Sequence, residues 1–120
     1  DSYHANPASM QAALDTLRAL PPRRIAILGD MGELGGDSLA AHRRIALDGV
    51  DHALLIGEEM AAVERVDGRH LWFASLDEAE GAIIELAASL TSDDSVLVKG
   101  SRMMGLERVA VWLRGGEDAL

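Results

Sequence analysis

Four short apolar runs punctuate the chain: Ile25 to Leu28, Ala53 to Ile56, Leu71 to Phe73 and Val96 to Val98, most of them closed by glycine or charge. Runs of roughly four consecutive apolar residues between turn formers are the pattern of strands buried on both faces. Between these runs the apolar period changes. Met10, Ala13, Leu14, Leu17 and Leu20 recur at helical spacing behind Asn6 and Pro7. Asn6 offers a capping side chain, and Pro7 lacks an N–H that the first turn would leave unpaired anyway. The spacing therefore predicts a helix from about Pro7 to Leu20, stopped by Pro21 and Pro22. A second helix is expected from Ser38 to about Leu47, with Leu39, His42, Ile45 and Ala46 on one side and Arg43 and Arg44 on the other. A short helix over Met60 to Val63 follows. Ser75 with Glu78 three residues later forms a capping box for a helix reaching about Leu90. A last helix runs from about Gly105 to Leu113, and the Gly115 to Leu120 tail is expected to fray.

Short strands alternating with helices imply a three-layer, Rossmann-like α/β domain, with a mostly parallel sheet and helices on both faces. The 120 residues read as one domain, 1–120, large enough to bury a core without a disulfide or metal staple. There is no cysteine to make a disulfide. No signal peptide or membrane span is visible, so a soluble, cytoplasmic protein is the default expectation. The polar opening DSYHANP, with no strand or Met before it, reads as a cut edge.

Charge narrows the partners. Twenty acidic against eleven basic residues give a net charge of −9, which argues against nucleic acid or an anionic membrane. Aromatics are 3% of the chain, so no stacking platform for bases is expected. The sole lysine is Lys99, at the end of the last apolar run.

In open α/β sheets, ligands bind beyond the carboxyl ends of the strands. Asp30 and Glu33 stand there in the loop of RIAILGDMGELGG, residues 24–36. The loop is glycine-rich, yet it is neither a phosphate loop nor a dinucleotide fingerprint. Its carboxylates would repel phosphate and suit an ammonium group, a metal ion or a general base; a solvated loop with an Asp cap is the plainer reading. Lys99, Ser101 and Arg102 follow the last strand with Gly100 among them. That group suits a carboxylate or phosphate, with the Arg bidentate, or else amounts to surface cations balancing nearby acids. His4 and Asn6 read as turn and cap residues, His42 as a satisfied core histidine, and Met103 and Met104 as packing. With no Cys and no paired His spacing, a zinc site is not expected.

Taken together, DSYHANPASM at 1–10, ILGDMGELG at 27–35 with His42 seven residues on, LLIGE at 54–58 and VLVKGSRMMGLERV at 96–109 resemble the carboxy-terminal domain of the Mur ligases. The family usually has Asn at the position of His4 and Gly at that of Met103. The resemblance implies an ATP-dependent amide ligase of peptidoglycan synthesis. Such an enzyme activates the carboxylate of a UDP-N-acetylmuramoyl tripeptide as an acyl phosphate, which the amine of D-alanyl-D-alanine attacks. It further implies that ATP and Mg2+ are held mainly by a central domain, and the uridine nucleotide by an amino-terminal one, both absent from this chain. This segment would be the substrate-binding domain, closing over ATP and inactive alone, with no catalytic residue of its own. By the same resemblance Asp1, Tyr3 and His4 would meet ATP, and Asn6, Asp30, Glu33, Lys99, Ser101 and Arg102 the substrate. Two other readings stay open: a receiver-like signalling domain phosphorylated on Asp30, and a nucleotide-binding domain of unknown ligand.

Overall fold

The computed structural model describes residues 5–32 and 34–115. Four strands, β1 (Arg24–Gly29), β2 (His52–Ile56), β3 (His70–Phe73) and β4 (Ser95–Lys99), form one sheet in the order β3-β2-β1-β4. Every pairing is parallel. The helices are α1 (Pro7–Arg18), α2 (Ser38–Arg43), α3 (Leu76–Ser89) and α4 (Glu107–Leu113), and single 3-10 turns cover Gly35–Asp37, Glu59–Ala62 and Arg102–Met104.

Strand alternation divides the core in two. Ala26 and Leu28 of β1, with Ala53 and Leu55 of β2, face Met10, Leu14 and Leu17 of α1 and the segment that carries Ala41, Ile45 and Leu47. Ile27, Leu54 and Ile56 point the other way, onto Leu76, Ala79 and Ile83 and the α4 residues around Val109. The central strand β1 is therefore apolar on consecutive residues because both of its faces are covered. Each fully buried Leu or Ile contributes about 1.5–3 kcal/mol over its exposed state. Met104 packs against the second cluster as a gap filler; the side chain of Met103 lies outside the described residues, as does 116–120 of the expected frayed tail.

The expected elements are present, with shifted ends. Helix α1 begins where Asn6 caps it: the Asn6 side chain accepts from the Ser9 N–H at 2.9 Å, and the Ser9 hydroxyl answers to the Asn6 N–H at 3.0 Å. Ser75 likewise accepts from the Glu78 N–H at the start of α3. The second helix ends at Arg43, not near Leu47. The reason is burial: Ile45, Leu47 and Val50 are all inside, and a continuing helix would carry residues two apart to opposite sides. The carbonyls this break frees at Ala46 and Asp48 accept from the Arg18 guanidinium. The helix expected over Met60 to Val63 is a 3-10 turn displaced to Glu59–Ala62.

Candidate functional site

Three loops leave the carboxyl ends of β1, β2 and β4, and Asp30 joins them. Its backbone N–H donates to Ile56 O at 3.1 Å, continuing the β1–β2 ladder one residue past the strands. Its carbonyl accepts the Ser101 N–H at 2.9 Å. Its carboxylate accepts the Met60 N–H at 2.9 Å and, more weakly, the Glu59 N–H at 3.4 Å. The side chain thus caps the 3-10 turn after β2, where unpaired amide groups attract an anion.

Glycine makes these approaches possible. Gly57 lies opposite Asp30 in the extended register and has φ +119, and a β-carbon there would fall onto the Asp30 carboxylate. A β-carbon on Gly100 would come within 2.9 Å of the Gly29 α-carbon, so the exits of β1 and β4 approach this closely because Gly100 is bare. Gly32 leans on Ser101 in the same way, where a β-carbon would meet the Ser101 side chain at 3.1 Å. Acidic and cationic loops are therefore packed together.

The electrostatics are mixed. Burial pushes the Asp30 carboxyl above its ordinary value, and the Glu59 and Met60 N–H groups pull against it. Asp30 borders a groove with Gly57, Glu58, Glu59 and Ser75, so the open side of this carboxylate faces further negative charge. Two smaller hollows elsewhere on the surface include neither Asp30 nor its neighbours Gly57, Glu59 and Ser101.

Ligand atoms of Asp30, His42 and Glu59 lie within 4.8 Å of one another, a spacing that a metal ion could bridge. The donor set does not fit one. His42 is fully buried; its Nε2 accepts the Met31 N–H at 2.9 Å, and its Nδ1 lies 2.7 Å from Ser38 O, to which it must donate. Asp30 is already engaged by backbone amides. Binding a cation would strip these bonds from a buried ring.

The expected site residues separate into groups. Asp30 and Ser101 are brought together. Arg102 is exposed on the 3-10 turn beside them, while Lys99 is buried, with 4% of its surface accessible. Alternation along β4 puts Lys99 on the face where Leu97 packs against the α1 cluster, away from the second core. Asn6 is occupied as the cap of α1, on the same face of the sheet. Asp1, Tyr3, His4 and Glu33 lie outside the described residues. Sequence reasoning missed Gly57 and the Glu59–Met60 amides as parts of this cluster. The available signal was the glycine directly after β2 with a helix start behind it.

These loops sit on a fold and in an order that match one family along most of the chain. The chain belongs to the Mur ligase family: residues 1–102 match the model of the Mur ligase glutamate ligase domain. It is similar to UDP-N-acetylmuramoyl-tripeptide--D-alanyl-D-alanine ligases, with 35% identity to that of Escherichia coli (strain K12) across 91% of this chain and 25% of the relative. With that of Treponema pallidum (strain Nichols) it shares 39% identity, over 95% of this chain and 27% of the relative. Among solved structures it resembles MurF from Acinetobacter baumannii, with TM-score 0.79 and 30% identity over 95% of this chain and 26% of that one. It also resembles MurF ligase from Thermotoga maritima in complex with ADP, with TM-score 0.81 and 26% identity over 97% of this chain and 27% of that one. The chain spans about a quarter of the length of the relatives it matches. Nothing in these matches supports a receiver-like domain, and an Asp30 whose carboxylate already holds two backbone amides is poorly placed for phosphorylation.

Proposed function

We propose that this chain is the substrate-binding domain of an ATP-dependent ligase that adds D-alanyl-D-alanine to a UDP-N-acetylmuramoyl tripeptide. The observation that carries this reading is the joining of an acidic and a cationic loop through the Asp30 carbonyl and the Ser101 N–H. A dipeptide zwitterion presents an ammonium and a carboxylate a few bonds apart. Asp30 and Glu33 suit the first, and Ser101 and Arg102 the second, with the Arg102 guanidinium as a planar fork for the carboxylate. In this reading Asn6 stands at the substrate, while Asp1, Tyr3 and His4 approach ATP when the domain closes.

ATP supplies the phosphoryl group that activates the tripeptide carboxylate, with Mg2+ neutralising its phosphates. Among the described residues the Asp30, His42 and Glu59 cluster does not fit a metal ion, because His42 and Asp30 are already held by backbone groups, and in this reading ATP and Mg2+ are held mainly by the rest of the ligase. What this domain's residues do is bind the dipeptide, orient its amine and, through the acidic loop, favour the amine's approach.

The test is phosphate release by the complete ligase that contains this domain, assayed with UDP-N-acetylmuramoyl tripeptide, ATP and a panel of amino acids and dipeptides. D-alanyl-D-alanine should be the accepted nucleophile. Turnover with a free amino acid such as D-glutamate in preference to the dipeptide would refute the assignment.

A further inference from the structure

We propose that His42 is a positioning residue that fixes the Asp30–Met31 peptide and, through it, the spacing between the acidic and cationic loops. That single peptide unit is held at both ends. Its carbonyl, on Asp30, accepts the Ser101 N–H at 2.9 Å, and its N–H, on Met31, donates to His42 Nε2 at 2.9 Å. A peptide plane gripped on both sides cannot rotate about its flanking torsions without breaking one bond or the other.

The ring itself has no freedom to give. His42 Nδ1 lies 2.7 Å from Ser38 O one turn earlier in α2, and the Ser38 hydroxyl stands 3.4 Å from the same nitrogen. A backbone carbonyl accepts and a backbone N–H donates, so the two partners dictate a neutral ring with its proton on Nδ1 and a lone pair on Nε2. His42 is fully buried, and no water-exposed edge offers the Met31 N–H a substitute acceptor. The imidazole thus bridges the two ends of the loop, at Met31 and Ser38, that carries Glu33. His42 is not among the residues that line the groove, and its hydrogen bonds reach Ser101 through the shared peptide. If that loop pair binds the dipeptide, as the proposed function holds, His42 governs how well its two charged ends are matched.

Two variants separate the two ring nitrogens. His42→Asn keeps a donor near the Nδ1 position and loses the acceptor for Met31; His42→Gln keeps an acceptor near the Nε2 position and loses the tie to Ser38. In this chain, amide hydrogen exchange should speed up at Met31 and Ser101 by about tenfold or more in His42→Asn, with Ile83 and Val109 in the opposite layer unchanged, and recover most of its protection in His42→Gln. In the complete ligase, His42→Asn should raise the KM for D-alanyl-D-alanine with the KM for ATP unchanged, and His42→Gln should restore it. Unchanged protection at Ser101, uniform loss of protection across both layers, or an unaltered dipeptide KM would each overturn the role. Should neither variant fold, the 15N shifts of His42 in the unmodified chain decide: a protonated Nε2 would overturn the clamp. Failure of the unmodified ligase to use the dipeptide would instead remove the functional reading and leave the exchange result standing.

Discussion

Replacing Gly57 by alanine adds one methyl group and should cost far more than a methyl group's worth. Two effects combine. The residue has φ +119, a conformation that costs an L side chain about 1–3 kcal/mol. The new β-carbon would also land on the Asp30 carboxylate. A carboxylate at the end of a side chain usually steps aside cheaply, but this one accepts from the Met60 N–H at 2.9 Å, so moving it forfeits a charge-assisted bond of about 1.5–3 kcal/mol. The sum is about 2.5–6 kcal/mol. With a urea slope of about 1–3 kcal/mol per molar, the midpoint should fall by about 1 M or more with the slope unchanged. Trp72, whose indole N–H donates to Gly57 O at 2.7 Å, offers a local fluorescence probe of the same transition. The two contributions separate in a double-mutant cycle with Asp30→Ala, because in that background the added methyl group meets no carboxylate and only the backbone strain remains. A coupling of about 1.5–3 kcal/mol is expected; additivity within about 0.5 kcal/mol would refute the contact.

Other perturbations should respond in distinct ways. Arg102→Ala in the complete ligase should raise the KM for D-alanyl-D-alanine about tenfold or more and leave that for ATP nearly unchanged, as separate variation of the substrates would reveal. Because burial raises the Asp30 carboxyl above 3.8, the folded state holds that proton to higher pH than the unfolded chain does; its contribution is greatest below about 3.8 and declines as pH rises through the raised value. The stability of Asp30→Asn relative to the unmodified chain should therefore improve on going from about pH 4 to pH 7, measured by denaturant titration at each pH. Asp94 behaves oppositely: the Arg23 guanidinium 2.7 Å away holds its carboxyl low, so its stabilisation is present at neutral pH and fades as pH falls through that lowered value, a dependence Arg23→Ala should weaken. Leu55→Ala, in the fully buried centre of β2, should cost about 2–5 kcal/mol in the same assay.

The layers of this fold can be read in the sequence because they rest on local pattern. Ile25 to Leu28 announce a strand covered on both sides, and Asn6–Pro7 and Ser75 announce helix starts that their side chains cap, Ser75 through the half of its box that accepts from the Glu78 N–H. The early end of α2 could not be read, since it depends on which of Ile45, Leu47 and Val50 the sheet buries and on Arg18, far back in the chain, reaching the carbonyls the break frees. The site divides along the same line. Asp30 at a strand end is visible as a candidate; its bonds to Glu59, Met60 and Ser101 belong to residues brought together only by the sheet order. Lys99 looks from the sequence like a companion of Arg102. In the structure strand alternation turns its side chain into the α1 layer, while Arg102 remains at the surface. His42 was readable as a buried, satisfied histidine, but which backbone groups satisfy it was not.

The two glycines at the tip of the acidic loop differ in kind from those at its base. A β-carbon on Gly36 would meet nothing within 4 Å, and its backbone angle is not of the left-handed sort that Gly35, at φ +59, adopts. Gly57 and Gly100 tolerate no such addition, and one on Gly29 would press on the Met104 side chain at 3.0 Å. Anyone retuning what this domain accepts therefore has an unequal canvas: residues at the root of the loop form a keystone that resists alteration, and position 36 is a free margin where bulk or charge could be written in without disturbing it.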